Sequence, residues 1–237
     1  MSKWAVRNSF IAPKGFDLFF FDYSKQEMHV IVDQCEEMPV LEEMKRGIDF
    51  YTATANVIER IASVEISRYD AKQIALGLTY GEGEELLAHN LKCSVTEARR
   101  FKKAFFKGLP RVEKFAESLQ KQVRYHGCIF NPFGRVLYFK RDEAYKALNG
   151  YAQGTSADIT KTAAVGVNQV VEGKRSEICN IVHDELVLKI HRKERSLIEP
   201  IKVMMSEAYP YKHVPLAVDV EWSQTSWGAK KKWASGQ

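Results

Sequence analysis

The chain has 237 residues, 45% of them hydrophobic and 27% charged, and its formal net charge is +5. That balance supports a sizeable buried core in one large domain or two small ones, and it excludes general disorder. The longest apolar run, residues 18–21, falls far short of the ~20 residues that cross a bilayer, and the modest basic excess permits a polyanionic partner without requiring one.

Taken in chain order, the N-terminus carries Lys3 and Arg7 but no apolar segment ahead of a small-residue cleavage site, so secretion is unsupported and a cytoplasmic location is expected. Residues 16–21 are rich in aromatics and predict a buried strand that ends at Asp22. The pattern turns helical over 23–35. A second helix is predicted over 49–62, where Phe50, Ala53, Val57 and Ile61 mark one face. Further helices are expected over 66–80, ending at Gly81 and Gly83, and over 96–106 and 112–125. Residues 128–131 and 136–139 read as two short strands joined by a turn. Thr155 with Asp158 three residues on resembles a capping box, which predicts a helix starting just after Gly154 and running to about Val171. Two apolar runs flanking His183, Asp184 and Glu185 predict a tight hairpin over 178–190. A helix over 194–208 and a strand over 215–222 follow, and Lys230 to Lys232 read as a solvated tail. Strands and helices alternate without regular parallel crossovers, so the predicted class is α+β with antiparallel strands.

Two constellations stand out. Asp22 and the Asp184, Glu185 pair lie at the ends of strongly apolar strands, where an unpaired carboxylate is expensive. A hard cation such as Mg2+ suits such a pair, since it takes one or two carboxylates together with water and substrate phosphates. Taken singly, each also suits a structural role, as a helix cap at Asp22 and a hairpin tip at Asp184 and Glu185. The second constellation is Arg68, Lys72, Leu76 and Tyr80, spaced four apart and therefore on one sloping helix face. Two cations followed by an apolar and an aromatic side chain match a triphosphate nucleotide, while an ordinary amphipathic helix with solvated cations is the alternative. Gly77 in mid-helix costs about 1 kcal/mol relative to alanine and is read either as close approach of another group or as the start of a frayed end. Cys35, Cys93, Cys128 and Cys179 have no C-x-x-C spacing, and His126, His191 and His213 lack metal-ligand spacing.

Three stretches carry a resemblance: Phe21-Asp22-Tyr23-Ser24-Lys25-Gln26-Glu27, then Arg68-Tyr69-Asp70-Ala71-Lys72-Gln73-Ile74-Ala75-Leu76-Gly77-Leu78-Thr79-Tyr80-Gly81, then Val182-His183-Asp184-Glu185. In this order they resemble motifs A, B and C of family A DNA polymerases, the group of bacterial DNA polymerase I and its phage relatives. Arg7 to Ala12, Asn149 to Asp158 and Pro215 to Val220 extend the resemblance over nearly the whole chain. It implies an antiparallel palm sheet flanked by helices, with an inserted helical fingers subdomain: palm over 1–46, fingers over 47–127 and palm again over 128–237. It further implies that Asp22 and Asp184 hold two Mg2+ ions and that Glu185 is a secondary acid. Arg68 and Lys72 would grip the incoming triphosphate beside Leu76 and Tyr51, Tyr80 would pack by the templating pair, and Glu27 would act as the sugar gate. Asn149, Gln153, His183 and Arg135 would touch the DNA.

Departures from the family pattern are Leu76 for an aromatic residue, Gln26 for an apolar one, His29 for an arginine and Tyr51 for a histidine. Thumb, exonuclease and the first palm strands are not recognisable. The implied activity is DNA-templated addition of deoxynucleoside triphosphates to a primer, with a second polypeptide expected to supply the thumb and an exonuclease, in the host cytoplasm if phage-encoded. A primer-template binding or scaffolding module is the non-enzymatic alternative. An RNA polymerase relative is disfavoured by Glu27.

Overall fold

The computed structural model describes residues 3–234. In chain order its elements are α1 (Lys3–Asn8), β1 (Phe16–Tyr23), α2 (Gln26–Gln34), α3 (Met38–Lys45), α4 (Phe50–Ala62), α5 (Arg68–Thr79), α6 (Glu84–Leu91), α7 (Val95–Gly108), α8 (Pro110–His126), β2 (Cys128–Phe130), β3 (Val136–Tyr138), α9 (Ala147–Val171), β4 (Glu177–Val182), β5 (Glu185–His191), α10 (Ile198–Ser206), β6 (Val218–Ser223) and β7 (Lys231–Lys232). They form two compact units. Among the described residues the first comprises 3–26, 157–210 and 215–234, and the second comprises 27–156 and 211–214.

The first unit is built on an antiparallel sheet of order β4-β5-β1-β6-β7, as the α+β reading expected. β1 is buried along most of its length, so alternate residues serve two faces. Phe19, Phe21 and Tyr23 serve one; there Phe19 stacks on Trp222, Trp233 meets both rings edge-on, and the Tyr23 hydroxyl donates to the Met205 carbonyl of α10 at 2.7 Å. Leu18 and Phe20 serve the other, packing with Val187 and Trp227. Two neighbours frame the far end of β1, because Asp22 pairs in register with Glu185 of β5 and with Asp219 of β6.

The second unit is mainly helical. Asp49 accepts the Tyr51 N–H and opens α4, Ser67 accepts the Asp70 N–H and opens α5, and Ser94 with Glu97 forms a full capping box on α7. α8 has no cap of its own. Its first amides, from Arg111 and Val112, donate instead to the buried carboxylate of Glu37 at 2.8 and 3.1 Å. Sequence periodicity missed α3 and α6, both only eight residues long.

Two expectations are corrected. α9 begins at Ala147, not after Gly154, and Thr155 lies fully buried within it. A Cβ at Gly150 would sit 2.4 Å from Phe139, and one at Gly154 would sit 2.9 Å from Leu137. Both glycines therefore admit the inner side of the β2–β3 hairpin instead of punctuating the helix. The solvated tail is also wrong at Lys230, which is half-buried in ion pairs, while Lys231 and Lys232 form β7 against β6.

Candidate active site

In the first unit, strand alternation and register put Asp22, Glu185, Asp219 and Glu221 on one face of the sheet, continuing the row of Leu18 and Phe20. Asp184 stands in the two-residue turn between β4 and β5, whose first residue, His183, takes the left-handed conformation with φ +57°. The Asp184 carbonyl accepts the Tyr23 N–H at 3.3 Å, which ties the hairpin tip to the end of β1. Burial, and then repulsion from Asp184 and Glu185, push the Asp22 carboxyl up to about 7, against the opposing pull of Lys230. Lys230 meets Glu185 at 2.7 Å and Glu221 at 2.6 Å. Burial disfavours its charge, yet these two hydrogen bonds prevail and hold the ammonium above its ordinary range. A cavity of about 410 Å³ opens beside Asp22, Asp219 and Glu221.

Among the described residues, no group of three or more His, Cys, Asp or Glu is disposed to hold a metal ion. The donor chemistry nevertheless fits Mg2+: the carboxylates are hard, Asp22 lacks sufficient counter-charge, and Mg2+ needs only one or two protein carboxylates when substrate phosphates and water complete its shell.

In the second unit, α5 carries Arg68, Lys72 and Leu76 in its body and Tyr80 as its C-cap. Arg68 forks onto Asp49, its Nε 3.2 and 3.1 Å from the two carboxylate oxygens and its Nη2 3.0 Å from one of them, and its guanidinium lies 5.7 Å from the Tyr51 ring. Lys72 is exposed and Leu76 half-buried. Gly77 is closely approached by the tip of the Glu82 side chain, whose Oε2 would lie 2.6 Å from an added Cβ. The Tyr80 hydroxyl donates to Glu27 at 3.2 Å and also bonds Gln153. Tyr51 is pushed up to about 12 by burial, then by the charges of Tyr80 and Glu27. Glu27, Tyr51, Tyr80 and Gln153 thus belong to one neighbourhood.

Asn149 is half-buried nearby in sequence, with its Oδ1 enclosed and unpartnered. Arg135 lies exposed in the hairpin turn, where its N–H donates to Asn131 at 2.9 Å. Among the departures, His29 is internal: its Nε2 donates to the Val214 carbonyl at 2.6 Å, and its ring meets Tyr211 edge-on. Gln26 is buried with both amide atoms unpartnered.

Sequence reasoning missed Asp219, Glu221, Lys230 and the Asp49–Arg68 fork. The alternation of Val218, Asp219, Val220 and Glu221 carries a signal for the first two, since it sets both acids on one strand face. Nothing local announces Lys230, whose role depends on strands distant in sequence.

The chain matches the model described as DNA polymerase family A over residues 2–229. It is 28% identical over 232 residues to the DNA polymerase of Mycobacterium phage D29, covering 96% of this chain and 37% of that protein. It is 29% identical over 242 residues to DNA polymerase I of Bacillus caldotenax, covering 95% and 28%. Among solved structures it is similar to the POL domain of Pol1 from M. smegmatis in complex with DNA primer-template and dNTP, with a TM-score of 0.84 and 30% identity over 95% of this chain and 42% of that one. The chain therefore spans well under half the length of these relatives.

Proposed function

Because this chain belongs to DNA polymerase family A, we propose that it catalyses DNA-templated addition of deoxynucleotides to a primer 3′ end. The observation that carries this reading is the meeting of Asp22 and Asp184, two residues distant in sequence: the Asp184 carbonyl accepts the Tyr23 N–H at the end of β1, and the Asp184 charge helps to push the Asp22 carboxyl up. In the reaction the primer 3′-oxygen attacks the α-phosphorus, the bond to the bridging oxygen breaks, and pyrophosphate leaves with the electron pair. Asp22 and Asp184 would hold two Mg2+ ions, which when bound acidify the primer hydroxyl and neutralise the leaving phosphates.

The chain's own groups orient the rest. Lys72 is free in the described structure to reach a triphosphate, while Arg68 exchanges Asp49 for phosphate oxygens. Glu27, held by the Tyr80 hydroxyl, fills the space of a ribose 2′-hydroxyl and makes the enzyme selective for deoxyribose. Tyr51 and Leu76 complete the nucleotide pocket, Glu185 supports the carboxylate face, and Asn149, Gln153, His183 and Arg135 contact primer-template DNA. The first unit corresponds to palm and the helices of the second contain the fingers. The exposed Val6, Phe10 and Ile11 are apolar surface of the kind that a partner polypeptide carrying thumb and exonuclease would cover. Among the described residues no helix is long and apolar enough to cross a membrane.

Primer extension with the purified chain, Mg2+ and each nucleotide type tests the proposal. Extension with deoxynucleotides and little with ribonucleotides is expected. Tight primer-template binding without any extension would instead identify a binding module.

A further inference from the structure

The carboxylate face holds more acid than two Mg2+ ions use. Beyond Asp22 and Asp184 it presents Glu185, Asp219 and Glu221, and Lys230 alone among the described residues forms ion pairs there with Glu185 and Glu221, at 2.7 and 2.6 Å. This lysine is firmly built in. Its ammonium lies 5.1 Å from the centre of the Phe20 ring, and Phe20 itself is buried with Leu18, Val187 and Trp227. The backbone is pinned on both sides of it: the Trp227 N–H donates to the Phe10 carbonyl at 2.9 Å, and Lys231 and Lys232 pair with Trp222 and Glu221. The ammonium is therefore preorganised between two glutamates instead of sampling solvent.

A carboxylate engaged by an ammonium is a poor metal ligand, because a metal must first displace the cation and leave it without a partner in a half-buried place. On the reading that Asp22 and Asp184 bind metal, we propose that Lys230 is a positioning residue that withdraws Glu185 and Glu221 from the metal's reach. The ligand set is thereby limited to the aspartates of that face, Asp22 and Asp184 with Asp219 beside them. Such a set suits a cation that keeps its waters and takes substrate phosphates, whereas a set enlarged by glutamates would favour ions that demand six to eight oxygens, such as Ca2+.

The test measures divalent-ion binding without primer or nucleotide, using Mn2+ titrated by electron paramagnetic resonance and Ca2+ by calorimetry. Lys230→Met keeps the apolar stem over Phe20 and removes the charge; Lys230→Arg keeps the charge. Lys230→Met should tighten Ca2+ by about tenfold, the size of effect that outer-shell partners command, and Mn2+ by less. Lys230→Arg should stay within about twofold of wild type. Adding Glu185→Gln to Lys230→Met should return Ca2+ affinity towards wild type, a reversal that damaged folding would not produce. Unchanged or weakened Ca2+ binding by Lys230→Met with an intact circular dichroism spectrum would overturn the proposal, as would absence of measurable ion binding by every variant. Because no catalysis is read, these outcomes are separate from those of primer extension: a chain that extends primers while its ion binding ignores Lys230 keeps its function and loses this inference.

Discussion

The two ends of β1 bury the same side chain in opposite ways. At the entrance, Asp17 is wholly inaccessible, and each of its oxygens is taken by an arginine, Arg192 at 3.0 Å and Arg195 at 2.6 Å. Arg195 also lies over Trp222 and Trp233, so the pair is packed as well as bonded. At the exit, Asp22 faces Asp184, Glu185 and Asp219, and the nearest cation is committed to two glutamates. The contrast separates a carboxylate that serves the fold from one that the fold tolerates. Where charge is compensated internally, removing a partner damages stability; where it is left uncompensated, removing the charge relieves the protein and costs it its chemistry.

The largest effect should come from the exit. Asp22→Asn or Asp184→Asn is expected to slow single-turnover nucleotide addition by about ten-thousandfold, roughly 5 kcal/mol of transition-state stabilisation, with the fold intact. Retention of more than a tenth of the wild-type rate would break the contrast.

At the entrance, Asp17→Ala leaves Arg192 and Arg195 facing an emptied site, and a loss of about 3–5 kcal/mol in urea denaturation is expected. Activity per folded molecule should be unaltered.

A smaller effect concerns the sign of stability at the exit. The folded-state value for Asp22, about 7, lies above its ordinary 3.8. Between these values the unfolded chain ionises while the folded chain holds its proton, so metal-free stability falls as pH rises through that window and levels off above about 7. Asp22→Asn removes the penalty. Allowing for partial solvent exposure, it should stabilise the metal-free protein at pH 8 by on the order of 2 kcal/mol, and identical urea midpoints for the two proteins with EDTA present would contradict this.

The smallest effect carries the comparison to a base. Burial holds His29 below its ordinary 6.5, against the Val214 hydrogen bond and Asp33. Acidification protonates the unfolded chain first, so stability should decline as pH falls below about 6.5. Replacing His29 with Gln should flatten that decline in thermal melts.

Legibility followed the range of the interaction. The spans of α4 and α5 could be read from an apolar face and a glycine stop, and the caps that the structure adds, Asp49 and Ser67, act on amides within three residues. Asp22 and Asp184 could be read because each terminates an apolar run, and the three motif stretches preserve their order in the chain. What sequence alone determined, then, was the buried strand ending at Asp22, the spans of the longer helices, the hairpin tip and the family. Tertiary structure decided the cap on α8, supplied by Glu37; the run of α9 through Gly150 and Gly154, permitted by Phe139 and Leu137; and the conversion of Lys230 from a tail residue into the partner of Glu185 and Glu221. Each of these depends on a group far away along the chain whose energy is gained only after the backbone entropy of bringing it near has been spent. Local spacing carries no trace of that meeting, so only the folded sheet and helices reveal it.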